Sequence, residues 1–302
     1  MKKTVRLLSI MAVIVAGCTT ACGQNATKNT ADDSRKVKVM TSFYTMYDFA
    51  QKIGGEKVEI TNMVPSGTEP HDWEPSAIDI RNMEDADVFI YNGAGMEHWA
   101  EDILKSLDNS ELVTVEASEG VELIREGKEN DPHVWLDPEN AKIEMEHIKD
   151  AFIEADKDNA EYYNENYETY SSQLDGLNQE FEEALSQATN KDIIVAHKAF
   201  GYLCKAYGLN QIAIEGLMPD SEPDPARMEE IIQLAKKKKI NTIFFEELVS
   251  PKVANTIAKE IGAKTEVLNP LEGLSEEQMD AGEDYFSVMR TNLKQIKKAL
   301  EN

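Results

Sequence analysis

The sequence predicts an α/β fold of two parallel-sheet lobes joined by one long helix, and two patterns carry that expectation. Short β-branched or apolar runs alternate with longer amphipathic ones through both halves, as parallel strands with helical crossovers do. Between the halves no proline occurs from Asn140 to Met218, and part of that stretch repeats its apolar residues every three or four positions.

In the first half, strands are expected at 37–41, 58–63, 87–91 and 112–115, with helices at 44–53, 76–83 and 97–107. The second half repeats the scheme with strands at 193–196, 211–214, 242–245 and 265–268 and helices at 199–207, 225–239 and 251–261. A last helix is expected over 275–300. The helix opened by Asp137-Pro138-Glu139 should end near Ala155, because Asp156-Lys157-Asp158-Asn159 reads as a break and a fresh N-cap. Beyond it, Tyr163, Tyr167, Tyr170, Leu174, Leu177, Phe181 and Leu185 form the stripe of one linking helix, about 45 Å long at 1.5 Å per residue. A rod of this kind argues against large lobe closure.

At the N-terminus, Lys2, Lys3 and Arg6 precede an apolar stretch from Leu7 to Ala16, which reads as a secretory leader too short to span a bilayer. Val15-Ala16-Gly17-Cys18 resembles a bacterial lipoprotein processing box, which would lipidate Cys18; Cys22 is the alternative and fits less well. Thr19 to Lys36 is polar and aperiodic, as a disordered tether is. The expected division is therefore a signal peptide at 1–17, a tether at 18–36, a first lobe at 37–156, the linking helix at 157–189 and a second lobe at 190–302.

At 302 residues the chain has ample core, so any metal serves function rather than folding. Removing the leader takes away three basic residues and no acidic one, moving the formal charge from −25 to −28. Such a chain repels nucleic acid and anionic lipid headgroups. Beyond Cys18 and Cys22 only Cys204 remains, in a run that reads as a buried helix, so no disulfide framework is available to the folded region.

Chemistry concentrates at three of the five histidines. His71 lies in Glu69-Pro70-His71-Asp72-Trp73-Glu74-Pro75, His133 in Asp131-Pro132-His133-Val134-Trp135-Leu136-Asp137-Pro138, and His197 in Val195-Ala196-His197-Lys198. Each sits beyond a strand-like run, where loops converge at the carboxyl ends of parallel strands. Imidazole nitrogens suit zinc, copper, nickel and iron(II), and a tetrahedral zinc site needs a fourth donor. Glu272, Glu246, Glu247, Glu215 and Asp280 all lie near second-lobe strand ends, and spacing does not choose among them. Asp72, Glu74 and Asp137 either orient the imidazoles or cap the following helices. His98 and His147 read as solvated helix residues.

At these residues the chain resembles the zinc and manganese solute-binding lipoproteins of bacterial ABC importers, the cluster A-I or cluster 9 binding proteins. The resemblance covers 37–302 and rests on the two proline-flanked motifs, on His197 and on Tyr285-Phe286-Ser287-Val288-Met289-Arg290-Thr291-Asn292-Leu293. It implies two Rossmann-like lobes, a backbone helix and an ion held between the lobes. It also implies Glu272 as fourth ligand and, with histidine at position 197, Zn²⁺ rather than Mn²⁺. Residues 121–130 carry none of the histidines that crowd this loop in many zinc-binding relatives. The expected protein is a monomer, lipid-anchored on the outer face of the bacterial cytoplasmic membrane, which delivers zinc to an ABC permease. The rivals are a manganese-binding importer component, an adhesin of the same family, and a secreted zinc hydrolase, for which no HExxH motif exists.

Metabolic labelling with palmitate in a bacterial host tests the anchor. Label on the full-length chain that disappears in Cys18→Ala is the expected result, and an unlabelled parent chain would remove the anchor.

Overall fold

The computed structural model describes residues 35–219 and 223–301. The leader, the expected tether up to Ser34 and both candidate lipidation sites, Cys18 and Cys22, lie outside the described residues, whereas Arg35, at the end of that tether, is paired with Asp87 at 2.7 Å. The first lobe carries a parallel sheet of β1 (Val37–Thr41), β2 (Val58–Asn62), β3 (Val88–Tyr91) and β4 (Val113–Glu116) in the order β2-β1-β3-β4. A short antiparallel hairpin follows, β5 (Arg125–Glu126) and β6 (Glu129–Asn130). The second lobe repeats the parallel order as β10-β9-β7-β8, from β7 (Asp192–Val195), β8 (Asn210–Ala213), β9 (Thr242–Phe245) and β10 (Lys264–Val267).

The central strands of each sheet, β1 and β3 in the first and β7 and β9 in the second, are covered on both faces, whereas the edge strands β2, β4, β8 and β10 are partly exposed. In the first, Val37, Val39, Val88 and Ile90 face the main core, whereas Met40 and Phe89 point into an outer cluster with Trp99. In the second, Ile193, Val195 and Phe244 join the same main core, and Ile194 and Ile243 pack outward with Ile231 and Ile257. One continuous apolar core thus runs through both lobes.

Helices α1 (Tyr44–Gly54), α2 (Ala77–Glu84) and α3 (Ala100–Ser106) cross between the first strands, and α4 (Pro138–Ala155) closes the lobe. The side chain of Asp137 caps α4 by accepting from the backbone N–H of Glu139, with Pro138 at the first helical position. After a single 3₁₀ turn, α5 (Ala160–Leu185) runs for 26 residues, about 39 Å. Its apolar stripe, Tyr163, Leu174, Leu177, Phe181 and Leu185, is buried in the shared core. In the second lobe α6 (Gly201–Tyr207), α7 (Pro225–Lys238) and α8 (Lys252–Ile261) cross between strands. Cys204 is buried in α6, and burial pushes its thiol up to about 12. No described helix is long and apolar enough to cross a membrane.

The expected single helix over 275–300 is two: α9 (Glu276–Asp280) and α10 (Tyr285–Leu300). Gly282 turns the chain at φ +78°, and Asp284 starts α10 with a capping box to Ser287. That restart ties the lobes together. The Lys52 ammonium of α1 sits 2.9 Å from both Asp48 and Asp284 and lies over the rings of Tyr170 and Phe286.

Lys52 is only 10% exposed, so its removal leaves Asp48 buried without a counter-charge. Lys52→Ala is expected to destabilise the fold by about 3 kcal/mol, measured by urea unfolding. A loss near zero would show that this cluster does not hold the lobes together.

Candidate metal centre

The site forms where loops leave the carboxyl ends of strands in both lobes. His71 comes from the loop after β2, and His133 follows the β5–β6 hairpin. His197 lies just past β7, and Glu272 is on the loop after β10. All four are at most 3% exposed. The Nε2 atoms of His71 and His197 lie 3.3 and 3.2 Å from that of His133. Glu272 Oε1 is 3.3, 2.9 and 3.3 Å from the Nε2 atoms of His71, His133 and His197. Four ligands at zinc–nitrogen and zinc–oxygen distances of about 2.0–2.1 Å, set tetrahedrally, are separated by about 3.3 Å. Five of the six edges of the donor group, at 2.9–3.3 Å, are close to that length.

Two carboxylates decide which nitrogens face inward. Asp131 Oδ1 lies 2.7 Å from Nδ1 of His133, and the Glu246 carboxylate lies 2.7 and 2.8 Å from Nδ1 of His197. Each therefore accepts a hydrogen bond from Nδ1–H and leaves Nε2 turned toward the centre. Burial alone would lower the His133 and His197 pKa values. The hydrogen bonds and charges of Asp131, Glu246 and Glu272 reverse that and raise both, His197 well above the ordinary imidazole value. Burial would raise the Glu272 carboxyl, but the charges of His197 and His71, with hydrogen bonds from His133 and His197, hold it well below the usual carboxylate range.

Of the two roles left open for Asp72, Glu74 and Asp137, the helix cap holds for Asp137, and none of the three orients an imidazole of the donor group. Asp72 and Glu74 are exposed, Glu74 standing 3.6 Å from His98, and Asp137 is spent on the α4 cap. Asp131 was within reach of sequence reasoning. In Glu69-Pro70-His71 and Asp131-Pro132-His133 an acid two residues before the histidine accepts its backbone N–H at 3.0 Å. The shorter Asp side chain also reaches the ring. Gly201 makes room for it, since a Cβ there would meet Asp131 Oδ2 at 2.4 Å.

Of the carboxylates that spacing left open, Glu272 joins the donor group and Glu246 stands behind His197. Glu247 accepts from Asn269 and Gln278, while Glu215 and Asp280 lie outside the group. His98 is exposed, in the turn before α3 rather than in a helix. His147 is half-buried against the Ala117 carbonyl at 2.9 Å, not solvated as expected.

The C-terminal motif turns out to brace the site. Tyr285 donates to the Trp135 carbonyl, and Trp135 Nε1 donates across the lobes to the Pro270 carbonyl. Asn292 pairs with the backbone of Asn269 through both side-chain atoms. Leu271, next to Glu272, sits at φ +63°, a conformation costly for a bulky residue. Its N–H bonds to Asn269 Oδ1 and its carbonyl accepts from Thr45.

These features define a bilobed binding protein with one buried, nitrogen-rich cation centre between its lobes. The family profile described as "ZnuA: Zinc-uptake complex component A periplasmic" matches residues 39–299, and the chain belongs to that family. It is 42% identical over 306 residues to the high-affinity zinc uptake system protein ZnuA of Bacillus subtilis, covering 95% of this chain and 96% of the relative. It is 38% identical to the zinc-binding lipoprotein AdcA of Streptococcus pneumoniae, of whose length it spans 62%. The crystal structure of the Zn(II)-bound ZnuA-like domain of that AdcA superposes with a TM-score of 0.80 at 42% identity, covering 88% of this chain and all of the other.

With zinc as probe ion, Glu246→Gln is expected to weaken binding by roughly 10–100-fold. Because the free His133 and His197 hold protons more tightly than ordinary imidazoles, the ion must displace them, and affinity should fall as pH drops from about 8 to about 5. Competitive titration reads both, and an unchanged Glu246→Gln affinity would show that another group orients His197.

Proposed function

We propose that this protein captures Zn²⁺ outside the cytoplasm on His71, His133, His197 and Glu272 and passes it to an ABC permease. The observation that carries this reading is the set of inward-facing nitrogens and one carboxylate oxygen at tetrahedral spacing, three of them from imidazole. Manganese prefers oxygen donors and more of them, so it competes poorly here. Copper and nickel bind such a set strongly in vitro, which leaves cellular selectivity to supply and to the permease.

The centre holds cargo and catalyses nothing. A catalytic zinc site keeps a coordination position for water or substrate, whereas three imidazoles and one carboxylate make a closed tetrahedral shell. The protein works as a monomer tethered through a lipid on Cys18, which keeps the loaded lobes within reach of the membrane-embedded permease.

Metal-stripped protein reloaded with zinc and manganese in competition tests the reading, with elemental analysis giving the stoichiometry. One zinc per chain is expected, with manganese displaced. His197→Ala should lower zinc affinity by about two orders of magnitude or more while leaving thermal unfolding of the metal-free protein near that of the parent. An unchanged dissociation constant rejects His197 as a ligand.

A further inference from the structure

Behind the backbone that carries His133 lies a group the metal centre does not use. Glu144, on the inner face of α4, is wholly buried, and neither of its carboxylate oxygens has a hydrogen-bond partner among the described residues. Asn92, at the end of β3, is also wholly buried, and its Oδ1 is unpartnered too. Its Nδ2 is spent on the carbonyls of Gly93 and Pro132. Three acceptors and no donor cannot persist in a dry interior, since each unpaired oxygen costs the loss of its hydration.

The groups around Glu144 show what it abuts. Tyr202 and Tyr285, whose hydroxyls an ionised Glu144 would make harder to deprotonate, donate to the carbonyls of Asp131 and Trp135. With Asn92 on the Pro132 carbonyl, these side chains hold the segment from Asp131 to Trp135 from behind. The charged neighbour whose field reaches Glu144 is Glu97, from the loop before α3, and that field opposes ionisation. Burial raises the Glu97 carboxyl too, but Glu97 accepts from Ser42 Oγ and from the backbone N–H groups of Asn92 and Gly93, which partly offset that and favour its anion. Glu144 has no such donors. His147, a turn along α4, is committed to the Ala117 carbonyl. Of two interior carboxyls, the one without donors keeps the proton.

We infer that Glu144 is a neutral carboxylic acid sharing an ordered internal water with Asn92 Oδ1, and that this buried polar group, behind the Asp131–Trp135 backbone, positions the His133 segment. A protonated carboxyl supplies the missing O–H donor, and one water with its two donors satisfies the remaining oxygens, as internal waters usually do for buried polar groups. Burial, and then the Glu97 charge, raises the Glu144 pKa well above the ordinary carboxyl value, which accords with the neutral form. The link to zinc rests on His133 being a ligand, whereas the neutral acid and its water do not.

Two arms separate these. In metal-free protein, a carboxyl whose folded pKa is raised contributes its full stability below the unfolded value, about 4.5, and loses it as pH rises toward the folded value. Glu144→Gln keeps the shape, adds donors and cannot ionise. Between about pH 5 and pH 8 the folding constant of the parent should therefore fall relative to Glu144→Gln by up to about tenfold per pH unit. In the second arm Glu144→Leu, which removes the polar group, should weaken zinc binding by about tenfold, and Glu144→Gln should restore it. A parent-to-Gln stability ratio that does not change with pH overturns the neutral acid. Equal zinc affinity of the Leu and Gln variants overturns the positioning role, and a high-resolution map with a cation in place of water overturns the shared water. Zinc failing to bind the parent at all would strike the proposed function and leave the first arm standing.

Discussion

The fold is organised around a repulsion that it must contain. Two imidazole Nε2 atoms meet a third at 3.2 and 3.3 Å, with a carboxylate oxygen 2.9–3.3 Å from each, where all four residues are at most 3% exposed. Three imidazoles and a carboxylate do not gather like this for their own sake, because each loses hydration and one carboxylate oxygen cannot satisfy all three rings. Without an ion, protons supply the compensation, which is why His133 and His197 hold theirs so firmly. A divalent cation supplies it better, since one charge serves all four donors at once. The donors are therefore already assembled by the fold, so that little further ordering is required of a cation that binds them.

Holding such a group in place takes rigidity, and the architecture supplies it at three levels. The apolar core is shared, so that Val39 and Phe49 of the first lobe belong to the same cluster as Val195 and Leu268 of the second. Polar ties cross between the lobes next to the ligands themselves, through Trp135 to Pro270 and Thr45 to Leu271. Then Asp131 and Glu246 fix the rings. Each level reduces the freedom left to the next, so the donors meet with little further ordering cost.

Much of this was legible because the physics involved is local. Pattern placed all eight strands of the parallel sheets to within a residue or so, since the central strands are short apolar runs and the edge strands short β-branched ones between helical segments. The histidines stood out because Pro and acidic residues fix their turns. What escaped depends on distant contacts. Nothing near Glu246 says that its carboxylate faces His197 rather than the metal, because that pairing is made across strands β7 and β9. The β5–β6 hairpin was missed because two-residue strands carry no measurable alternation. The break between α9 and α10 lay in Gly282 and Asp284, legible cap signals overridden by the expectation of one long amphipathic stripe.

The same rigidity narrows how the ion can leave. Separating the lobes would expose the shared core, at a cost of about 25 cal/mol for each Å² of apolar surface uncovered. Moving a loop costs far less. Residues 64–71 meet the Leu271–Leu274 turn through few bonds, chiefly Ser66 Oγ and Gly67 N–H to the Leu274 carbonyl at 2.6 and 3.1 Å. A cavity of about 220 Å³ reaches Glu272 beside that seam, whereas the gap on its Glu246 side is near 10 Å³, about one water. His71 and Glu272, the two donor residues with any exposure, are borne by these loops, and His133 and His197 lie deeper at 0%. Local opening along this seam can thus expose two of the four donors while the core, the linking helix and the other two stay fixed.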